Sequence, residues 1–325
     1  MSTPATSSMV AIRSALRSEL EQIAPGEKVI VACSGGADSL ALSFALSVEA
    51  KKSAIQIIGV TVDHQLQSGS GEQAQRVVAQ LESMGIQLCE IVKVNVSLTD
   101  GLEASARRAR YLALDAVCER HAAKKVFLGH TRDDQAESVL LGLARGSGTR
   151  SLSAMATHSG KYVRPLLGIT REQTVKACRE EGLIAWNDPH NEDPKFLRAR
   201  VRTQVLPFLE EKIGPGIAAA LARSAGLLRD DADALDEWAM SEFEKVDPTS
   251  MDIAALTLLP RAVRSRVIRA AIYANGAPQG SISLEHLNPI EALVTSWSGQ
   301  GAVSLPGGVK VARLSGRLSL LPPAN

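Results

Sequence analysis

A short apolar run that passes through a glycine turn into a helix narrows most what this chain can fold into. Lys28-Val29-Ile30-Val31-Ala32-Cys33 reads as a buried strand, Ser34-Gly35-Gly36-Ala37-Asp38-Ser39 as a tight turn, and Leu40 to Leu46 as the start of a helix. Two glycines let the backbone turn sharply and come close to a ligand. The N–H groups that open the helix lack intrahelical partners and lie at the positive end of its dipole. Such a turn is an anion site, and Ser34 and Ser39 add hydroxyl donors. There is no G-x-x-x-x-G-K-[ST], so the turn is not a Walker A loop, and no G-x-G-x-x-G, so a dinucleotide fold has little support. The plainer alternative is a strand–helix junction in which Asp38 only caps the helix.

The same alternation continues over the first 190 residues. Ile55 to Val62, Leu88 to Val94 and Val126 to Leu128 read as further strands, with helical periods over 39–50, 72–84, 103–121 and 134–144. This order predicts an α/β fold, a doubly wound parallel sheet with helices on both faces and right-handed crossovers. After Trp186 comes a polar, proline-containing loop, then helical patterns over 196–212 and 217–296, then short strands in AVSLPGGVKVARLSGRLSLLPP. The expected organisation is a catalytic domain over 1–213 and a smaller, mainly helical domain over 214–325, divided near Gly214-Pro215-Gly216.

Composition limits the function classes. Hydrophobic residues at 45% and charged residues at 22% suit a soluble globular protein. Aromatics at 3% argue against base-stacking platforms, and a net charge of +1 means that any nucleic-acid surface must be a local basic patch. Cys33, Cys89, Cys118 and Cys178 show no C-x-x-C spacing, which removes support for zinc ribbons and simple iron–sulfur runs. The N-terminal stretch lacks a signal-peptide apolar core, and Val10, Ile12, Leu16, Leu20 and Ile23 suggest a leading helix. No stretch reaches the ~18 apolar residues of a membrane span. A cytoplasmic location is expected.

Further motifs follow the glycine turn. Val62-Asp63-His64-Gln65-Leu66 ends the second strand, where ligands of such sheets bind. Glu103-Ala104-Ser105-Ala106-Arg107-Arg108-Ala109-Arg110-Tyr111 opens a helix, and Gly129-His130-Thr131-Arg132-Asp133-Asp134-Gln135-Ala136-Glu137 follows the fourth strand. Then come Arg145-Gly146-Ser147-Gly148, Arg164-Pro165-Leu166-Leu167 and Asn187-Asp188-Pro189-His190-Asn191. Ser34–Ser39 matches the SGGxDS motif of the pyrophosphate-loop ATPases. The series, spread over residues 34–191, resembles the tRNA(Ile)-lysidine synthetases, whose patterns run as SGGxDS, VDHxLR, EAxAxxxRY, GHxxDDQxE, LxRGSG, RPLL and D-x-x-N.

The resemblance implies an enzyme that splits ATP between the α- and β-phosphates with Mg²⁺. It adenylates the 2-oxo group of the wobble cytidine in tRNA(Ile) with a CAU anticodon, and free L-lysine then displaces AMP. On that reading Ser34, Gly35, Gly36, Ala37, Asp38 and Ser39 hold phosphate, Asp38 is also a magnesium ligand or adenylation carboxylate, and Asp63 and His64 line the adenosine pocket. Arg107 and Arg110 bind phosphate or developing charge. His130, Asp133, Asp134 and Glu137 form the catalytic cluster, with Asp133 and Glu137 on one helix face, placed to orient the lysine amine and take its proton. The alternative for each is plainer: a helix cap, a solvated basic face or a satisfied structural histidine.

Two groups of arginines are candidates for the tRNA surface: Arg198, Arg200 and Arg202, and the helical stripe Arg261, Arg264, Arg266 and Arg269. Some positions depart from the family pattern. Gln67 replaces an expected arginine, His190 a serine, and Ser151 and Ser153-Ala154 replace expected glycines, while Ser138 keeps the hydroxyl of a usual threonine. Such enzymes commonly pair as homodimers, and the extra C-terminal domain of some relatives is expected to be missing at 325 residues. Two rival readings are a pyrophosphate-loop tRNA thiolation enzyme, disfavoured by the scattered cysteines, and a nucleotide-binding sensor or RNA-binding module without chemistry, which would not need Asp38, Asp133 and Glu137.

Overall fold

The computed structural model describes residues 7–67, 69–96, 101–146, 148–189 and 193–321. Ser147, His190 and Asn191 lie outside them. The chain divides into two compact units, Met1–Gly226 and Leu227–Asn325.

The first unit begins with α1 (Ser7–Leu20), β1 (Lys28–Ala32), α2 (Ala37–Lys52), β2 (Gln56–Asp63), α3 (Ser70–Ser83), β3 (Leu88–Lys93), α4 (Leu102–His121), β4 (Lys125–Leu128) and α5 (Arg132–Ala144). A short α6 (Thr149–Leu152), the two-residue strands β5 (His158–Ser159) and β6 (Tyr162–Val163), and α7 (Arg171–Glu180) follow. The sheet order is β3-β2-β1-β4-β6-β5, parallel except for β5 against β6. The parallel α/β fold read from the sequence is therefore present. The hairpin β5–β6 was not foreseen, because two-residue strands carry no usable period.

Alternation along β1 builds two cores. Val29, Val31 and Cys33 pack on one face with α1, α2 and α7 residues such as Met9, Leu42 and Cys178. Ile30 and Ala32 pack on the other with Ile58, Val60 and the α4 residues Leu114 and Val117. The run reads as continuously apolar because both faces are covered. The chain moves outward from β1 through β2 and β3, then returns to place β4 on its other side. This reversal makes the C-terminal end of β1 a switch point, where ligands bind in sheets of this kind.

The predicted helix over 196–212 is α8 (Leu197–Arg200), a π-helical turn (Val201–Val205) and α9 (Leu206–Lys212). The expected break at 213/214 coincides with the turn before α10 (Ile217–Phe243), and the compact units divide thirteen residues later, inside that helix. The second unit adds β7 (Ser250–Asp252), α11 (Ile253–Leu258), α12 (Arg261–Ala274), α13 (Leu284–Thr295), β8 (Val303–Ser304), β9 (Lys310–Leu314) and β10 (Arg317–Leu321). Its antiparallel sheet, β7-β10-β9-β8, packs Met251, Val311, Leu318 and Leu320 against Val267, Ile268 and Ile290 of the helices.

Candidate active site

Sterics shape the turn between β1 and α2. Gly35 has φ +86°, and a Cβ there would lie 2.7 Å from Val77 Cγ2. Gly36 enters α2 with extended backbone, and no side chain caps the helix, so its first amides face the cleft beside it. Ser39 braces the turn from within: its hydroxyl accepts from Ser34 N at 3.2 Å and donates to Gly36 O at 2.9 Å. Trp186 N donates to Gly35 O at 2.8 Å, which ties the turn to the segment after α7. Gly129, just past β4, lies so close that an added Cβ would sit 3.0 Å from Asp38 C and O and from Ser39 Cα.

Two cavities open on this turn. The first, of about 170 Å³, has apolar walls from Val60, Val62, Ala74 and Val77 and polar groups from Thr61, Asp63 and His64. Buried Asp63 accepts from Gln65 N at 2.9 Å, an Asx turn that sets Gln65 at φ +55°. Burial keeps His64 below its ordinary pKa, and its Nδ1 has no partner among the described residues. Gln67, the departure from the family pattern, donates to Asp188 Oδ1 at 2.9 Å, so an amide–carboxylate bond stands where an arginine was expected.

The second cavity, a cleft of about 530 Å³, is lined by Gly36, Ala37 and Asp38, and by Glu103, Arg107, Arg110, His130, Asp134, Arg171, Arg198 and Arg202. Arg110 lines both cavities and has no hydrogen bond or ion pair among the described residues, while burial lowers its pKa. An enclosed guanidinium with uncommitted donors beside an anion turn is built for an anion. Arg107 lies over the Tyr111 ring, 5.1 Å from its centroid. Burial pushes His130 down to about 3, so its ring is neutral at physiological pH, and its Nδ1 is enclosed without a partner among the described residues.

Carboxylates and guanidiniums interlock at the floor of the cleft. Glu137 is fully buried and held by Arg198 Nε at 2.7 Å and by Arg202 Nε at 2.6 Å and Nη2 at 3.0 Å. Asp134 accepts from Thr131 N at 2.8 Å in a capping box and meets Arg171 Nη2 at 3.3 Å and Arg202 Nη2 at 3.2 Å. Burial works against the charge of Asp134, and Arg171 and Arg198 more than offset it, holding its carboxyl below the usual range. Asp38 meets Arg171 Nη2 at 3.2 Å through Oδ2 and accepts the Thr174 hydroxyl through Oδ1. Burial dominates at Asp38 and raises its pKa, against the opposing effects of Arg171 and Thr174.

Sequence comparison identifies this arrangement. Residues 9–209 match the PP-loop domain, and residues 251–319 match the TilS substrate binding domain. A tRNA(Ile)-lysidine synthase from Thermobifida fusca is 50% identical over 309 residues, covering 94% of this chain and 95% of that protein. Another from Streptomyces coelicolor is 52% identical over 295 residues, 89% of this chain and 84% of that protein. The chain belongs to the tRNA(Ile)-lysidine synthase family. A U34-tRNA thiolase from Methanococcus maripaludis, solved with its [4Fe-4S] cluster, aligns with a TM-score of 0.57 at 20% identity over 68% of this chain and 78% of that one, a likeness of fold.

Several family-based expectations need correction in the geometry. Asp133 and Glu137 do not share a working face: Asp133 Oδ2 accepts from Arg171 N at 2.9 Å, which anchors α7. Glu137 is closed off by its arginines, and Asp134 is the carboxylate of the trio that lines the cleft. Arg198 and Arg202 are not an outer basic strip with Arg200. Helical spacing turns them four residues apart into the cleft, while Arg200 is exposed and donates to Pro194 O at 2.8 Å. Arg264 leaves the surface stripe as well: it is 7% exposed, with Nη2 2.8 Å from Glu291 and Nη1 3.0 Å from Leu259 O. Arg266 is tied to Asp236 at 2.5 Å, Arg261 is exposed and donates to Asn288 at 3.1 Å, and Arg269 is half-buried. Sequence reasoning missed Arg171, Thr174 and Trp186, and the one available signal was the Thr170–Gln173 capping box that starts α7.

Proposed function

We propose that this chain joins L-lysine to the 2-position of the wobble cytidine of tRNA(Ile) with a CAU anticodon, at the expense of ATP, in the cytoplasm. The observation that carries this reading is an uncapped helix start and an uncommitted Arg110 facing the carboxylates Asp38 and Asp134 across one cleft. The first unit would do the chemistry and the second would take up tRNA. The adenosine would sit against Val60, Val62 and Val77, with the α2 amides and Arg110 on the phosphates.

The donor set suits Mg²⁺. Among the described residues no group of three or more His, Cys, Asp or Glu converges on one point, but magnesium commonly takes one or two carboxylates together with phosphate oxygens and water. Asp38 Oδ2 and Asp134 Oδ1 lie 3.2 and 3.3 Å from one nitrogen of Arg171, which makes them the candidate pair. Bound there, the metal would neutralise charge on the inner phosphates.

In the first step the cytidine 2-oxygen bonds to the α-phosphorus and pyrophosphate leaves. Arg107 and Arg110 offset charge on the phosphates. In the second step the lysine ε-nitrogen bonds to C2 and AMP departs with the oxygen. The attacking amine must lose its proton, and the exposed Glu103, which lines the cleft and is not assigned to the metal, is the carboxylate that could orient it and accept that proton. Neutral His130 can donate or accept a hydrogen bond without adding charge.

Incubation with ATP, labelled lysine and bacterial tRNA, followed by nucleoside analysis, tests this. Lysidine with matching AMP and pyrophosphate is expected. Sulfur in the product, or ATP binding without pyrophosphate release under any condition, would overturn it.

A further inference from the structure

The three arginines at the floor of the cleft are not equivalent. Arg202 grips Glu137 through Nε at 2.6 Å and Nη2 at 3.0 Å, and Arg198 through Nε at 2.7 Å, lengths expected of charge-assisted bonds. Arg171 differs. One nitrogen, Nη2, serves two carboxylates on two elements, Asp38 Oδ2 at 3.2 Å and Asp134 Oδ1 at 3.3 Å, and neither contact is short. Its Nε is enclosed and has no hydrogen-bond partner among the described residues. The side chain is 30% exposed, so a path to the cleft is open, whereas its backbone is fixed by the Asp133 bond to Arg171 N.

We propose that Arg171 is a stand-in cation: without nucleotide its guanidinium occupies the point between Asp38 and Asp134, and a divalent metal must displace it to bind. This rests on the assignment of Asp38 and Asp134 as the metal's carboxylates, and it goes further by giving the empty enzyme a built-in competitor for that metal. Two carboxylates facing one cleft repel each other and need a positive charge nearby. Arg202 and Arg198 also reach Asp134 Oδ1, at 3.2 and 3.5 Å, but both are anchored on Glu137, and among the described residues only Arg171 bridges Asp38 and Asp134, so it is the one whose departure frees both carboxylates at the cost of the fewest short bonds. A guanidinium cannot accept the geometry of a metal ligand or lose its charge, so it and the metal exclude each other. Metal would therefore bind poorly alone and well with ATP, whose phosphates supply both further ligands and a new partner for the released guanidinium.

The test is Mn²⁺ binding to the full chain, read by the electron paramagnetic resonance of free Mn²⁺, in the absence of nucleotide. Removing a competitor raises apparent affinity by the inverse of the fraction of open sites, so Arg171→Gln should bind Mn²⁺ at least about tenfold more tightly than the parent. Arg171→Lys, which keeps a movable charge, should stay close to the parent. Adding Asp38→Asn and Asp134→Asn to Arg171→Gln should abolish the gain. Equal or weaker Mn²⁺ binding by a folded Arg171→Gln protein would overturn the proposal, as would a gain that survives loss of both carboxylates. ATP affinity, measured separately by calorimetry, reports on the nucleotide site itself: its absence in the parent would count against the enzymatic reading and leave the metal result to be judged alone.

Discussion

Arg202 holds Glu137 in a two-pronged grip, Nε on Oε1 at 2.6 Å and Nη2 on Oε2 at 3.0 Å, and Glu137 has no exposed surface. Loss of one partner from a buried pair leaves an uncompensated charge. Glu137→Gln should therefore cost about 3 kcal/mol of unfolding free energy, measured by urea denaturation of the full chain. A protein of unchanged stability that lost only its affinity for lysine would show instead that Glu137 contacts the amino acid.

Thr174 controls the direction of Asp38. Its hydroxyl lies within hydrogen-bonding reach of both Asp38 Oδ1 and Arg171 O. Thr174→Val should lower the rate of pyrophosphate release by about tenfold, the size of one lost bond to a charged group, with KM for lysine little changed. Thr174→Ser should recover most of the rate. Equal activity in Val and Ser variants would remove the positioning role.

Acid should destabilise the first unit through His130. Its folded pKa is held at about 3 by burial, below the ordinary 6.5, so between these values the unfolded chain binds a proton that the folded chain refuses. Stability from this residue is present above pH 6.5 and is lost as pH falls toward 3. At pH 5 the loss is about 2 kcal/mol relative to pH 8. His130→Asn should show a flatter stability profile over that window in paired denaturation curves; parallel profiles would contradict the burial argument.

Gly129→Ala tests the contact behind the glycine turn between β1 and α2. The new methyl would meet backbone atoms of Asp38 and Ser39 at 3.0 Å, and backbone cannot rotate away as a side chain can. A loss of ATP affinity of about tenfold or more is expected by calorimetry, because misplacing the α2 amides weakens an anion site held by orientation. Unchanged ATP binding would mean that this turn does not hold the phosphates.

The second unit separates two kinds of arginine. Arg264→Met should destabilise the chain by about 3 kcal/mol by stranding Glu291, and the double change with Glu291→Leu should recover much of it. Arg261→Gln together with Arg269→Gln should leave stability near the parent and reduce the slope of log affinity for tRNA against log salt by about two. An unchanged slope would move the tRNA surface to other residues.

Much of the parallel sheet was legible because its central strands are buried on both faces. Val29 to Ala32 and Ile57 to Val60 form apolar runs, and the glycine turn after β1 punctuates them. The partners across the cleft were less legible. Arg198 and Arg202 look like surface charge in sequence, since nothing local says that α8 and the π-helical turn after it aim them at a carboxylate some sixty residues earlier. Arg264 misled for the same reason: its partner Glu291 lies on another helix. Thr174 and Arg171 carry no motif of their own, and only the packing of α7 beside α2 brings them to Asp38.

The bond from Trp186 N to Gly35 O has a consequence for the order in which the protein matures. The turn leaves the ribosome long before the residue that fastens it, and Arg198 and Arg202 emerge later still. At ordinary elongation speeds the delay is roughly ten seconds. A nascent chain halted before residue 186 would carry the complete SGGADS signature yet should retain little ATP, so nucleotide capture marks the closing of the first unit during synthesis rather than its beginning.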